Sequence, residues 1–126
     1  MAIILKAGKT YSDRYTDGTS NTYYGVIDVC NLNKNEGKAS IHLSIYKSST
    51  ERSNGRRPVE THSYIAMYDV YNTYFDITVL EQTGVNHFGK AYEYLLSEIR
   101  ESSTFDENGD EVLGELVWKD WESDET

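Results

Sequence analysis

Residues 39–47 (ASIHLSIYK) alternate apolar and polar side chains without a break. Ile41, Leu43 and Ile45 fall on one parity, and Ser40, His42, Ser44 and Tyr46 on the other. A period of two marks a strand with one buried face and one wet face. A polar loop follows (SSTERSNGRR), and the pattern resumes as a strand over 59–68 (VETHSYIAMY) after Pro58, the one proline. The simplest pairing is an antiparallel hairpin with a long connection. Ser48 or Ser49 suits the start of one helical turn within that connection.

The rest of the chain must cover the apolar face this hairpin presents. Residues 1–7 read as a short strand, and 8–21 as a long polar loop with a turn at Asp17-Gly18. In 22–32 (TYYGVIDVCNL) apolar groups occupy both parities, which predicts a central strand covered on both faces. Residues 33–37 form a turn. Residues 69–80 show no clear period; Asp69 is placed to cap a short helix, and 77–80 reads as a strand. Over 85–100, Val85, Phe88, Tyr92, Leu95, Leu96 and Ile99 have the spacing of a helical apolar face, with Asn86 as N-cap. Gly89 weakens that helix by roughly 1 kcal/mol relative to Ala, which predicts a tight contact there. The segment 105–118 (FDENGDEVLGELVW) reads as a hairpin around a type I′ turn at Asn108-Gly109.

These readings predict an α+β fold. A mainly antiparallel sheet or partly closed barrel of roughly five strands packs against one amphipathic C-terminal helix, with an acidic C-terminal arm beyond it. The domain organisation expected is a single β-rich domain over 1–103, containing helix 85–100, and an acidic hairpin or arm over 104–126.

Charge supports that division. Residues 1–100 carry eleven acidic and eleven basic side chains, whereas 101–126 carry ten acidic residues and only Lys119. An acidic arm on a neutral body repels phosphate, so neither nucleic acid nor an anionic membrane is an expected partner. Ile3-Ile4-Leu5 is too short for a signal core or a membrane span, and the expected setting is a reducing cytoplasm or a particle built there. Cys30, the single cysteine, sits in an apolar run and reads as a small buried hydrophobe. The eleven tyrosines against three phenylalanines suit either strands or wet interfaces.

Few constellations suggest chemistry. His42 and His62 lie on the two paired strands and, with Glu60, could in principle ligate a metal; two exposed polar residues is the simpler reading. Asp106, Asn108 and Asp110 imitate the start of an EF-hand loop, but Glu111 stands where Gly is required and Val117 where Glu is. No phosphate loop, GxSxG or HExxH is present. The expectation is no enzyme, no catalytic residues, no metal and no cofactor. Arg52, Arg56 and Arg57 form the one compact basic cluster, suited to pairing with carboxylates on a partner.

Two stretches carry a family resemblance: ASIHLSIYKSSTERSNGRRPVETHSY at 39–64 and GVNHFGKAYEYLLSE at 84–98. The first resembles small virion proteins of tailed bacteriophages, where a strand ending in a YxS element leads through a charged loop to a Pro-started strand. The second resembles the helix with an AYEYL element that closes such proteins. The resemblance implies a non-enzymatic structural component of the virion at the neck (head–tail connector), tail or capsid surface. It implies a homo-oligomer that contacts other virion proteins and is assembled in the bacterial host cytoplasm. The alternative is an acidic protein-binding module or inhibitor that docks on a basic partner. In an assembly the arm is expected to dock on an adjoining subunit, with Trp118 or Trp121 as the buried anchor and the loop of Arg52, Arg56 and Arg57 receiving its acids; in the alternative the arm is presented to the basic partner.

Overall fold

The computed structural model describes residues 2–13, 19–82 and 85–124. In chain order the elements are β1 (Ala2–Leu5), β2 (Tyr11–Ser12), β3 (Thr19–Ser20), β4 (Tyr24–Asn33), β5 (Lys38–Tyr46), α1 (Ser49–Ser53) and β6 (Glu60–Met67). Then come α2 (Asp69–Phe75), α3 (Ile77–Leu80), α4 (His87–Glu98), β7 (Thr104–Phe105), β8 (Glu111–Val112) and β9 (Trp121–Asp124). Five strands make one antiparallel sheet in the order β6-β5-β4-β1-β9. β2 with β3 and β7 with β8 form separate two-stranded ribbons. The Asp17-Gly18 turn lies outside the described residues.

The core face of the sheet follows from the pairing register. Ile41, Leu43 and Ile45 are fully buried and stand opposite Cys30, Ile27 and Gly25 on one side. On the other side they face Tyr64, His62 and Glu60. β4 keeps its apolar residues on this face by means of a bulge: Ile27 pairs with Leu43 and Val29 with His42, so Asp28 is the extra residue. The apolar groups on both parities of β4 therefore have two causes: the bulge returns Cys30 and Leu32 to the core face, and Val26 is buried on the opposite face beside Ser44. Gly25 is required where it stands, because a Cβ would lie 2.7 Å from Ile3 Cγ1 and 3.1 Å from Ile45 Cδ1.

The helices lie against this face. Tyr71 and Phe75 of α2 and Ala91, Tyr92, Tyr94 and Leu95 of α4 join Ile27, Cys30 and Ile41 in one core. The buried face of α4 is rotated from the expected one: Phe88 is exposed, while Leu96 and Ile99 only flank the core. Asn86 caps α4 by accepting from the Gly89 amide at 2.8 Å. Gly89 has no tight neighbour, since a Cβ there would come no nearer than 3.6 Å to the Asn86 side chain. Residues 77–80 are helical rather than a strand. The Asp76 carboxylate accepts from the Thr78 amide at 3.3 Å and the Thr78 hydroxyl at 2.6 Å, and this cap overrides the β-branched composition. Those bonds hold the Asp76 carboxyl below its usual range.

The expected fold class is overturned in three respects. The sheet is open, with β6 and β9 as free ends of the strand order, rather than a partly closed barrel. Among the described residues four short helices replace one C-terminal helix, and α4, twelve residues long, is followed by three more strands. The acidic C-terminal segment is not an arm. Its last described stretch, β9, is an edge strand that pairs with β1 from Leu5↔Trp121 to Ala2↔Asp124.

Two substitutions test this packing. Leu95→Ala empties a fully buried site and should lower stability by about 2–5 kcal/mol in urea melts. Gly89→Ala, in the first turn of α4, adds a Cβ that meets only ordinary contact with Asn86 and should raise it by about 0.5–1 kcal/mol in the same experiment.

Candidate interaction surfaces

Trp118 and Trp121 are brought together, but inside this chain. Their side chains are 2% and 5% exposed and meet edge to face at 5.7 Å. The chain reaches that position by folding back on itself after α4. The Glu101 amide donates to the Glu115 carbonyl and the Val117 amide to the Ile99 carbonyl, each at 2.9 Å. The backbones approach so closely that a Cβ on Gly114 would fall 2.2 Å from the Glu101 carbonyl oxygen. Docking of either tryptophan on another chain is therefore corrected: the anchor is consumed in cis.

Around the tryptophans lies a polar and aromatic layer that sequence reasoning mostly missed. The Glu60 carboxylate is buried and accepts from the Tyr11 hydroxyl at 2.7 Å and contacts His62 Nε2 at 2.9 Å. His62 meets Trp118 edge-on at 5.1 Å, and Trp118 Nε1 donates to the Tyr64 hydroxyl at 3.2 Å. Tyr11 packs edge-on against both Tyr23 and Trp121, and Tyr23 donates to the buried Asp13 carboxylate. The signal for part of this was readable, because Glu60, His62, Tyr64 and Ala66 share one parity of an alternating strand. This arrangement fixes the C-terminal return onto the sheet, with each buried carboxylate satisfied by hydroxyl or imidazole donors. The same use accounts for much of the tyrosine. Tyr23, Tyr71, Tyr92 and Tyr94 are buried, and the Tyr92 hydroxyl accepts from the Ile27 amide at 2.8 Å.

His42 and His62 are kept apart. His42 pairs with Ser63 and His62 with Leu43, so their side chains leave opposite faces of the sheet. No three His, Cys, Asp or Glu side chains come together as a metal group among the described residues. No helix among them is long and apolar enough to cross a membrane.

Three features face outward. The first is the loop bearing Arg52, Arg56 and Arg57, all exposed; α1 starts it, capped by Ser48, and Arg56 pairs with Glu51 at 3.5 Å. The second is the ribbon of β7 and β8. Its turn is not type I′: Gly109 alone has positive φ, its amide donates to the Asp106 carbonyl, and the Asp106 side chain accepts from the Asn108 and Asp110 amides. This is a type I turn closed by a left-handed glycine. Phe105, Val112 and Leu113 are exposed on the ribbon, Phe105 to 73%, beside Asp106, Glu107, Asp110 and Glu111.

The third outward feature is the free side of β6. Ile65, Met67 and Tyr68 are exposed there, Ile65 to 58% and Tyr68 to 70%. A groove of about 280 Å³ runs past Met67, Tyr68, Val70 and Tyr94. Tyr68 has φ 57° and ψ −123°, the first central position of a type II′ turn, where glycine is the usual residue. A non-glycine residue held there carries strain of order 1–3 kcal/mol.

No protein-family model, curated protein or solved structure matches this chain. One prediction concerns the tryptophans. Trp118→Ala should cost about 3–5 kcal/mol in denaturant melts, as for a core aromatic. An exposed anchor for another chain would leave the melt of the isolated protein nearly unchanged.

Proposed function

We propose that this chain is a non-enzymatic structural protein that works in several copies through protein–protein contacts, as a component of the particle of a tailed bacteriophage. The observation that carries the reading is the ribbon of β7 and β8. A two-stranded ribbon of this size is marginal in water, yet this one holds Phe105, Val112 and Leu113 in solvent. A partner surface is the natural place for them. Its carboxylates make no salt bridge among the described residues, and the loop with Arg52, Arg56 and Arg57 offers the matching charge. A contact between the ribbon of one copy and the Arg loop of the next is head-to-tail, the kind that closes into rings. The tailed-phage setting comes from the resemblance of 39–64 and 84–98.

The acidic tip also favours a second reading, a module that docks on a basic surface of an unrelated protein. The two readings part in one experiment. Quantitative mass spectrometry of purified particles should find the chain in multiple copies per particle. The double variant Phe105→Ser, Leu113→Ser alters only exposed residues, so it should fold normally and enter particles about tenfold less. A chain missing from particles, or a variant incorporated as well as the parent, would count against the structural role.

A further inference from the structure

We propose that β6 pairs with β6 of a second copy of this chain, antiparallel about a two-fold axis at Ile65, so that two sheets become one. This deepens the reading of the chain as a multi-copy assembly protein and rests on it.

β6 is the longer edge of the sheet, eight residues, and among the described residues it pairs with β5 alone. Natural edge strands are guarded by charge, proline, bulges or short length. The one carboxylate of β6, Glu60, is its first residue and is turned inward to Tyr11 and His62; from Thr61 to Tyr68 there is no Asp, Glu, Lys, Arg, Pro or Gly, and the register with β5 runs without a bulge. The other edge, β9, is guarded twice over, being four residues long and carrying Glu122 and Asp124. Among the described residues, β9 is guarded along its length and β6 only at its first residue.

A second copy fits the open edge better than a charged partner does. A basic protein would be drawn to β9 or the acidic ribbon, not to an uncharged strand. Two copies of a chain with net charge −9 repel each other, and the strand order decides where they can meet. β9 lies four strand spacings from β6, about 19 Å at 4.8 Å per spacing, roughly two Debye lengths in physiological salt. Pairing through β6 sends the acidic strands to opposite ends of the joined sheet.

Side chains fit the same register. With the axis at Ile65, that residue meets its own copy and Met67 meets Ser63, so an apolar Ile–Ile rung on the outer face is flanked by the two Met67 side chains. Tyr68 ends the paired stretch. An exposed tyrosine in a glycine conformation gives its own fold nothing that glycine would not give better, and a contact for its ring across the axis accounts for its presence.

The test uses the full chain. Sedimentation velocity should show a dimer that forms with rising concentration. Ile65→Lys should abolish it while leaving the circular dichroism spectrum and melt unchanged. Ile65→Cys should form a disulfide-linked dimer under mild oxidation, because residues directly opposite in an antiparallel pair lie about 4.5–5.5 Å apart. Thr61→Cys, which this register holds roughly 27 Å from its own copy, should not. Tyr68→Gly should unfold at a higher temperature yet dimerise more weakly. A monomer at every concentration, or a dimer indifferent to Ile65→Lys, overturns the pairing. Cross-linking of Thr61→Cys as efficient as that of Ile65→Cys overturns the register. A chain abundant in particles but monomeric alone defeats this pairing and leaves the structural role standing. A β6 dimer missing from particles does the reverse.

Discussion

The hydrogen bond from the Ile27 amide to the Tyr92 hydroxyl joins the sheet to its helix at the point where the sheet is least regular. A bulge leaves backbone groups without their ladder partners, and a buried amide without a partner is costly. Tyr92 reaches from α4 to satisfy one of them. Burial pushes its hydroxyl pKa upward, so the group stays neutral across the physiological range. Much else depends on this junction. The extra residue at Asp28 keeps Cys30 and Leu32 on the same face as Gly25 and Ile27, opposite Ile41 and Ala39. Without it the second half of β4 would turn its apolar side chains to solvent and α4 would have no continuous floor. Asp28 itself faces out and accepts from the Ser44 hydroxyl at 2.9 Å, which settles the displaced residue on the outer face.

The elements legible in the sequence are those whose cause is local. The alternation of Ile41, Leu43 and Ile45 specified β5, and the Ser48-Ser49 pair, of which Ser48 is the cap, and Asn86 marked the starts of α1 and α4 because a cap acts within three residues. The bulge was not legible, since a change of parity at Asp28 looks the same as burial on two faces. Residues 77–80 were misread because Ile77, Thr78 and Val79 favour strands, while the Asp76 cap that outweighs them acts through one side chain. The position of the Arg loop followed from the strands on either side of it. The fate of Trp118 and Trp121 could not, because the partner of β9 is β1, at the far end of the chain, and no local window contains both.

That long-range closure changes what the acidic segment is. Its apolar residues divide into two groups. Trp118 and Trp121 complete the core over a layer of Glu60, His62 and Tyr64, while Phe105, Val112 and Leu113 stay outside it. The acids are carried where solvent reaches them, along β9 and on the ribbon. A sequence-level unit, the acidic segment 101–126, is thus split between the body and its surface.

Cys30 shows what the helix–sheet contact means for chemistry in time. Its thiol lies beneath α4, 3.9 Å from the His87 carbonyl, and burial raises its pKa to about 11. The thiolate, not the thiol, attacks an alkylating reagent, and the reagent needs room to approach. In the closed molecule both conditions fail, so modification waits for α4 to lift from β4. The rate at which this one sulfur is labelled is then a clock for that local opening, read without adding any probe to the chain.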